Sequence, residues 1–341
     1  MRIALLGAGA IGHVHAEAYA TIPGATVVAV MDREQDAAVR LAANLDAQPY
    51  TEIETLLARA QVDVVDCCLP TPLHRRIVER IATARCHVIC EKPLAMSVED
   101  GRAMIAACQT AGVHLLVGQV VRFFSPYRLL AVEVQAGRVG RPVTVMLLRQ
   151  GFYPTGRHNW YRDEAQSGGI FLDLMIHDCD WALQQFGPAE RVYARLVRHG
   201  LDDVDVERRP FCQGMATVRH HSGVLTQLTA TWGHPGPFTT AVEIAGTDGL
   251  LQYHMGESQA LRLFMPSTDS DAGDVPLPDL SAGENSYRTE LAHFIEVISQ
   301  GAEPVVRPEQ ALAALELALA ARYSAASGRA LTMETAVEVT P

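Results

Sequence analysis

Glycines at 7, 9 and 12 follow a short apolar run in Arg2-Ile-Ala-Leu-Leu-Gly-Ala-Gly-Ala-Ile-Gly12. Asp32 closes a second apolar run, Thr26-Val-Val-Ala-Val-Met-Asp, twenty residues after Gly12. No other feature constrains the fold as much, because each part has a mechanical job in holding a dinucleotide. Gly7 permits a tight turn off the first strand, and Gly9 lets the backbone approach a pyrophosphate. Gly12 lets the following helix pack close to the sheet, with Ala10 and Ile11 completing the loop. The helix N-terminus offers unpaired N–H groups and a partial positive charge, an effect of roughly 0.3–1 kcal/mol at exposed sites. A carboxylate in the place of Asp32 accepts hydrogen bonds from the adenosine ribose and repels a 2′-phosphate, which predicts NAD as cofactor. Arg33 beside it keeps NADP open, since an arginine there accommodates the phosphate.

A chain of 341 residues has room for two cores at roughly 100–200 residues per domain. As far as about residue 121, short β-branched runs at 2–6, 26–31, 63–68, 87–90 and 114–117 alternate with helical stretches near 11–20, 33–46, 73–84 and 97–111. That alternation predicts an α/β, doubly wound parallel sheet over residues 1–121, a Rossmann-type domain. From residue 122 to 341 the pattern changes to an α+β domain. Its runs at 143–150, 190–198, 213–220, 223–232, 239–246 and 248–254 are rich in Val, Thr, Leu and Tyr. Ser222-Gly223 and Asp248-Gly249 read as hairpin turns, so this sheet is expected to be largely antiparallel and open-faced. Residues 266–285 read as a polar loop, and 286–300 and 308–327 as helices. The Ala/Leu-rich stretch 311–321 reads as core.

The formal net charge of −11 gives no electrostatic support to nucleic-acid or anionic-membrane binding. No apolar run reaches the roughly 18 residues of a membrane span. The seven cysteines, odd in number and without a CxxC pair, point to a reducing compartment, the cytoplasm, rather than to a disulfide framework. His13 and His15 read as packing or solvent residues. His220-His221 lacks a third ligand, so no metal is expected.

Three segments carry chemistry. After the third strand, Leu69-Pro70-Thr71-Pro-Leu-His74 is placed to line a cofactor crevice, and a rigid strand-to-helix turn explains its prolines equally well. After the fourth strand, Glu91-Lys92-Pro93 puts a lysine into a carboxyl-end loop, with the proline restricting it to extended geometry. In Ser167-Gly-Gly-Ile-Phe-Leu-Asp173-Leu-Met-Ile-His177-Asp-Cys-Asp180, Asp173, His177 and Asp180 share one face if the stretch is helical. A histidine within reach of carboxylates is a general acid–base near neutral pH, and a salt-bridged helix is the plainer alternative.

Together these segments resemble the Gfo/Idh/MocA oxidoreductase family, over nearly the whole chain. The resemblance rests on Gly7-Ala-Gly-Ala-Ile-Gly12, Leu69 through His74, Glu91-Lys-Pro93, Gly168-Gly169 through His177 and Asp180, and the helix end Ser324-Ala-Ala-Ser-Gly328. It implies an N-terminal Rossmann domain for NAD(P) and a C-terminal open sheet for substrate and oligomer contacts. Lys92 matches the family's EKP lysine, and Asp173 and His177 match its catalytic pair. The pattern departs at Ile170 and at Met175 or Ile176, where the family often has glycine.

The residues and the resemblance together lead to an NAD-dependent dehydrogenase acting on a sugar, sugar acid or cyclitol hydroxyl, similar to the inositol dehydrogenases. Lys92, Asp173 and His177 are its expected catalytic residues. Gly7, Gly9, Ala10, Ile11, Gly12, Asp32, Arg33, Leu69, Pro70, Thr71, His74, Glu91 and Lys92 are expected at the cofactor. Arg122, His158, Trp160, Tyr161, Trp232 and His234 are candidates for the substrate wall, packing and substrate contact both being open for each. The alternatives are an NAD-dependent glycoside hydrolase of the same family and a catalytically silent dinucleotide sensor. The expected partners are a small polyol or sugar and a second copy of the chain, as homodimer or homotetramer through the C-terminal sheet.

Overall fold

The computed structural model describes residues 1–154, 157–200, 210–257, 261–265, 273–276 and 285–339. The chain divides into two compact units, Met1–Phe123 with Asn285–Leu312, and Phe124–Glu284 with Ala313–Pro341. The domain expectation of 1–121 and 122–341 follows chain order, whereas in space the segment from Asn285 returns to the first unit.

In the first unit the strands are β1 (Arg2–Leu6), β2 (Thr26–Met31), β3 (Gln48–Tyr50), β4 (Val64–Cys67), β5 (His87–Glu91) and β6 (Leu115–Gly118). They form one sheet in the order β3-β2-β1-β4-β5-β6, every pair parallel. Helices α1 (Ala10–Tyr19), α2 (Gln35–Ala43), α3 (Ile53–Arg59), α4 (His74–Thr83) and α5 (Val98–Ala111) make the crossovers. β4 and β6 are buried along their whole length, which is why their apolar runs do not alternate. The short pieces β3 and α3 were not expected. Gln48-Pro-Tyr carries a proline and lies at the sheet edge, where a missing N–H is tolerated. The strand order reverses direction between β1 and β4, so the carboxyl ends of those two strands flank the crevice where such sheets take ligands.

In the second unit β7 (Pro142–Gly151), β8 (Ala189–His199), β9 (Phe211–His220), β10 (Leu225–Trp232), β11 (Thr239–Gly246), β12 (Leu250–His254), β13 (Leu261–Met265), β14 (Gly273–Pro276) and β15 (Leu331–Thr332) form one sheet. Its order is β14-β13-β12-β11-β7-β10-β9-β8-β15. The pairing is antiparallel except for β10 beside β7, a long-range parallel contact that no turn signal announces. The Ser222-Gly223 and Asp248-Gly249 hairpins join β9 to β10 and β11 to β12, as their sequences predict. Helices α6 (Ser125–Gln135), α7 (Glu164–Ser167) and α8 (Ile176–Phe186) belong to this unit. Strand β9 shows the half-covered pattern, Cys212, Gly214, Ala216 and Val218 being buried and Met215, Thr217 and Arg219 exposed. Met146, Tyr193 and Leu225 are exposed at outward positions of the neighbouring strands. The 266–285 loop falls mostly outside the described residues; within it, Gly273–Pro276 is strand β14. The helix Pro308–Ser327 buries Ala311, Ala314, Leu315, Leu317 and Ala318, the core role its composition predicts. Among the described residues no helix is long and apolar enough to cross a membrane.

Candidate active site

The glycine loop has the geometry its spacing demands. Gly7 has φ +97°, and a Cβ there would lie 2.4 Å from the Cys68 carbonyl oxygen. A Cβ on Gly12 would lie 1.9 Å from the Gly7 carbonyl oxygen, so α1 approaches the turn closer than any side chain allows. A Cβ on Gly9 would meet nothing within 4 Å, which leaves open backbone at the start of α1 for a phosphate. Ala10 is exposed and Ile11 half-buried at that start. The buried Asp32 directly follows β2, where its Oδ2 accepts the Ala8 N–H at 2.8 Å and its Oδ1 the Glu34 N–H at 3.0 Å. The carboxylate is thereby fixed beside the glycine loop, and Arg33 next to it is exposed. These residues fit a dinucleotide.

At the end of β4, Thr71–Leu73 is a single 3-10 turn leading into α4, with Leu69 half-buried, Pro70 exposed and Thr71 buried. His74 is fully buried. Its Nε2 lies 2.8 Å from the Leu69 carbonyl oxygen, and its Nδ1 lies 3.1 Å and 3.2 Å from those of Pro93 and Leu94. It therefore braces the loops after β4 and β5 from behind, and burial lowers its pKa. Glu91 is the last residue of β5. Its Oε2 accepts the Lys92 N–H at 3.0 Å, and the half-buried Lys92 precedes a cis proline, Pro93. Among all 341 residues Lys92 is the only lysine, the other basic side chains being arginines and histidines. Reading motif by motif passes over that count, which was available in the sequence.

In the second unit the Asp173–His177 segment is built by a break in helical regularity. Gly168 and Gly169 have φ +74° and +69°, and a Cβ on Gly168 would lie 2.6 Å from the Leu172 Cβ. Phe171–Met175 then forms a π-helical turn before α8 begins. Such turns recur at functional sites because they re-aim side chains. Asp173 sits in the π turn and His177 at the second position of α8, both half-buried, while Asp180 is buried. A π turn thus stands where a regular helical face was expected.

Asp178, which sequence reasoning passed over, anchors this helix. Arg149 of β7 donates Nη2 to Asp178 Oδ1 at 2.8 Å and Nε to Oδ2 at 3.0 Å, and Nη2 also donates to the Tyr127 hydroxyl at 3.1 Å. Both charged side chains are buried. Burial opposes the Arg149 charge, but Asp178 outweighs it and holds the guanidinium's pKa above its ordinary value. A bidentate pair of this kind fixes both distance and orientation.

Several of the substrate-wall candidates lie close together. Trp232, at the end of β10, lies 6.0 Å from the Tyr161 ring and 5.7 Å from the Tyr153 ring, and Trp160 and Tyr161 lie 4.3 Å apart. His234 accepts the Gly236 N–H on Nδ1 at 3.1 Å. Arg122 belongs to the first unit, is buried, and donates Nη1 to the Val305 carbonyl oxygen at 2.9 Å and to Gln310 Oε1 at 3.1 Å. The His158 side chain lies outside the described residues. His13 is exposed and bonds back to Gly9. His15 is not a simple packing residue, since it is buried between two carboxylates. His220 is buried between the Gly187 carbonyl and Thr226 Oγ1.

Residues 1–119 match the model of an oxidoreductase family with an NAD-binding Rossmann fold, and residues 127–252 match the GFO/IDH/MocA C-terminal domain. The chain belongs to the Gfo/Idh/MocA oxidoreductase family. As a member, it is an NAD-dependent oxidoreductase. The myo-inositol 2-dehydrogenase of Thermotoga maritima is 29% identical to it over 99% of this chain and 100% of that one. The 1,5-anhydro-D-fructose reductase of Ensifer adhaerens is 28% identical over 98% and 99%. The crystal structure of GenD2 from gentamicin A biosynthesis, in complex with NAD, superposes with a TM-score of 0.83 at 25% identity, covering 97% of this chain and 96% of that one.

Proposed function

We propose that this Gfo/Idh/MocA enzyme oxidises a hydroxyl of a sugar, sugar acid or cyclitol, or reduces the matching ketone, with Lys92, Asp173 and His177 as its catalytic residues. When bound, the cofactor supplies the hydride acceptor or donor at nicotinamide C4. Lys92 carries the reading. In a chain that otherwise uses arginine, the single lysine stands at the carboxyl end of β5, in the sheet that bears the glycine loop. Lysine and arginine differ most where a compact ammonium must approach one oxygen. Lys92 Nζ hydrogen-bonds the reacting oxygen and stabilises its developing charge. His177 takes the hydroxyl proton on oxidation and returns it on reduction, while Asp173 orients the imidazole. Leu69, Pro70 and Thr71 line the cofactor crevice. The Trp160, Tyr161 and Trp232 rings offer apolar faces to sugar C–H groups, and His158 and His234 complete the polar wall. The two enzymes named above act, by their names, on a cyclitol and an anhydro sugar, which supports this substrate class.

The test is a panel of polyols, sugars and sugar acids assayed for NADH absorbance with purified protein. Lys92→Ala, Lys92→Arg and His177→Ala should each lose at least about a hundredfold in kcat, on the 10²–10⁴ scale of positioned acid–base groups, while NADH still binds. Asp173→Asn should be intermediate. A folded, NADH-binding Lys92→Ala protein with wild-type kcat would remove this mechanism. Glycoside cleavage without net NADH would favour the hydrolase alternative, and absence of turnover across the panel the silent sensor. We also assign the enzyme to the cytoplasm, supported by seven free, buried cysteines. A homodimer or homotetramer is supported by the apolar residues exposed on the open sheet face.

A further inference from the structure

Four buried polar side chains lie just behind the glycine loop, at the carboxyl ends of β4 and β5. His15, on the second turn of α1, has Nδ1 2.8 Å from Asp66 Oδ2 and Nε2 3.2 Å from Glu91 Oε1. Tyr19 donates its hydroxyl to the same Asp66 oxygen at 2.8 Å. Exposure is 1% for His15, 0% for Asp66 and 6% for Glu91, too little for water to neutralise a wrong charge. The Nε2–Glu91 contact has ion-pair distance without hydrogen-bond alignment, so His15 attracts that carboxylate through charge, which requires protons on both ring nitrogens.

The second carboxylate leads directly to Lys92. While Glu91 Oε1 faces His15, its Oε2 accepts the Lys92 backbone N–H at 3.0 Å. The neighbouring strand leaves room for this placement, since a Cβ on Gly118 of β6 would lie 2.9 Å from Glu91 Oε1. The Glu91 carboxylate therefore lies between α1 and the turn that presents the lysine, in the room that Gly118 of β6 leaves.

We propose that His15 is a positioning residue for Lys92: as an imidazolium bridging Asp66 and Glu91, it holds the Glu91 carboxylate on the Lys92 amide and so sets the turn that aims the ammonium. The proposal rests on the reading of Lys92 given above. Two buried histidines of this unit illustrate the difference in charge. Burial works to lower the pKa of both. His74 bonds only to backbone carbonyls, and burial keeps it lowered against their pull and that of Glu91, whereas Cys68 and Asp66 beside His15 raise it well above its ordinary value. Cys68 is itself held up by burial and by Asp66, so it remains a thiol at neutral pH. Without the imidazolium, Glu91 becomes a buried carboxylate released from its fixed orientation, and the Lys92 turn loses its constraint.

A single lysine makes the test direct, because protein labelled with ¹³C at lysine Cε gives one lysine NMR signal. His15→Gln should displace that signal, since the turn that carries Lys92 loses its constraint. NADH affinity should stay within about threefold of wild type. On the substrate found by the panel, kcat should fall roughly tenfold to a hundredfold, the scale of an ångström-sized misplacement. In a Lys92→Ala background the same substitution should cost less than about twofold, because residues acting as a unit are not additive. If His15→Gln fails to fold, Glu91→Gln replaces it with the same expectations for coupling, since it keeps the acceptor for the Lys92 amide and removes the charge. An unchanged lysine signal, or losses that multiply in the double variant, would overturn the proposal. Wild-type kcat in Lys92→Ala would instead show that the reading of Lys92 itself had failed, a result the NMR arm does not produce.

Discussion

Removing Asp178 should be among the most destabilising single changes in the second unit. Asp178→Ala leaves the Arg149 guanidinium buried with the Tyr127 hydroxyl and no carboxylate, in a place where each partner's side chain is at most 3% exposed. Breaking a buried ion pair from one side typically costs about 3–5 kcal/mol, mostly as uncompensated desolvation of the charge left behind. A unit of this size shifts its melting temperature by about 2–4 °C per kcal/mol, so a fall of roughly 6–20 °C is expected. Replacing both partners with apolar residues of similar volume, Arg149→Met with Asp178→Leu, should recover most of it, because desolvation then no longer has to be offset. The assay is thermal unfolding followed by circular dichroism, with kcat measured on the same preparations. Since Asp178 adjoins His177, the double variant should melt near wild type yet turn over more slowly, the helix having lost its bidentate anchor. A melting temperature for Asp178→Ala within about 2 °C of wild type would refute the reasoning, as would a double variant no more stable than the single one.

The remaining expectations concern cofactor and assembly. Gly12→Ala places a Cβ 1.9 Å from the Gly7 carbonyl oxygen, so the loop must shift; NADH binding by fluorescence titration should weaken at least about tenfold, and an unchanged affinity would contradict the loop's role. Asp32 should favour NADH over NADPH by about tenfold to a hundredfold, the value of a charge-assisted hydrogen bond, and tighter NADPH binding would reverse that assignment. Met146→Glu, at a position 52% exposed on the open sheet face, should shift the light-scattering mass toward monomer; a wild-type protein that is already monomeric would refute assembly through this face.

Local sequence signals had physical grounds for what they determined. The glycine spacing needs only backbone sterics, so Gly7 and Gly12 stand where their missing Cβ atoms predict. Nonalternating apolar runs gave away the buried parallel strands, and Ser222-Gly223 and Asp248-Gly249 their hairpins. Lys92, Asp173 and His177 were legible as motifs, and the uniqueness of Lys92 is a plain count. Only the tertiary structure decided the rest, because it depends on contacts between residues far apart in the chain. The parallel pairing of β10 with β7, the return of Asn285–Leu312 to the first unit, and the Arg149–Asp178 pair are all of this kind. So is the place of His15: from sequence it is one histidine on an apolar helix, and folding sets its ring nitrogens beside two carboxylates, 51 and 76 residues further along the chain.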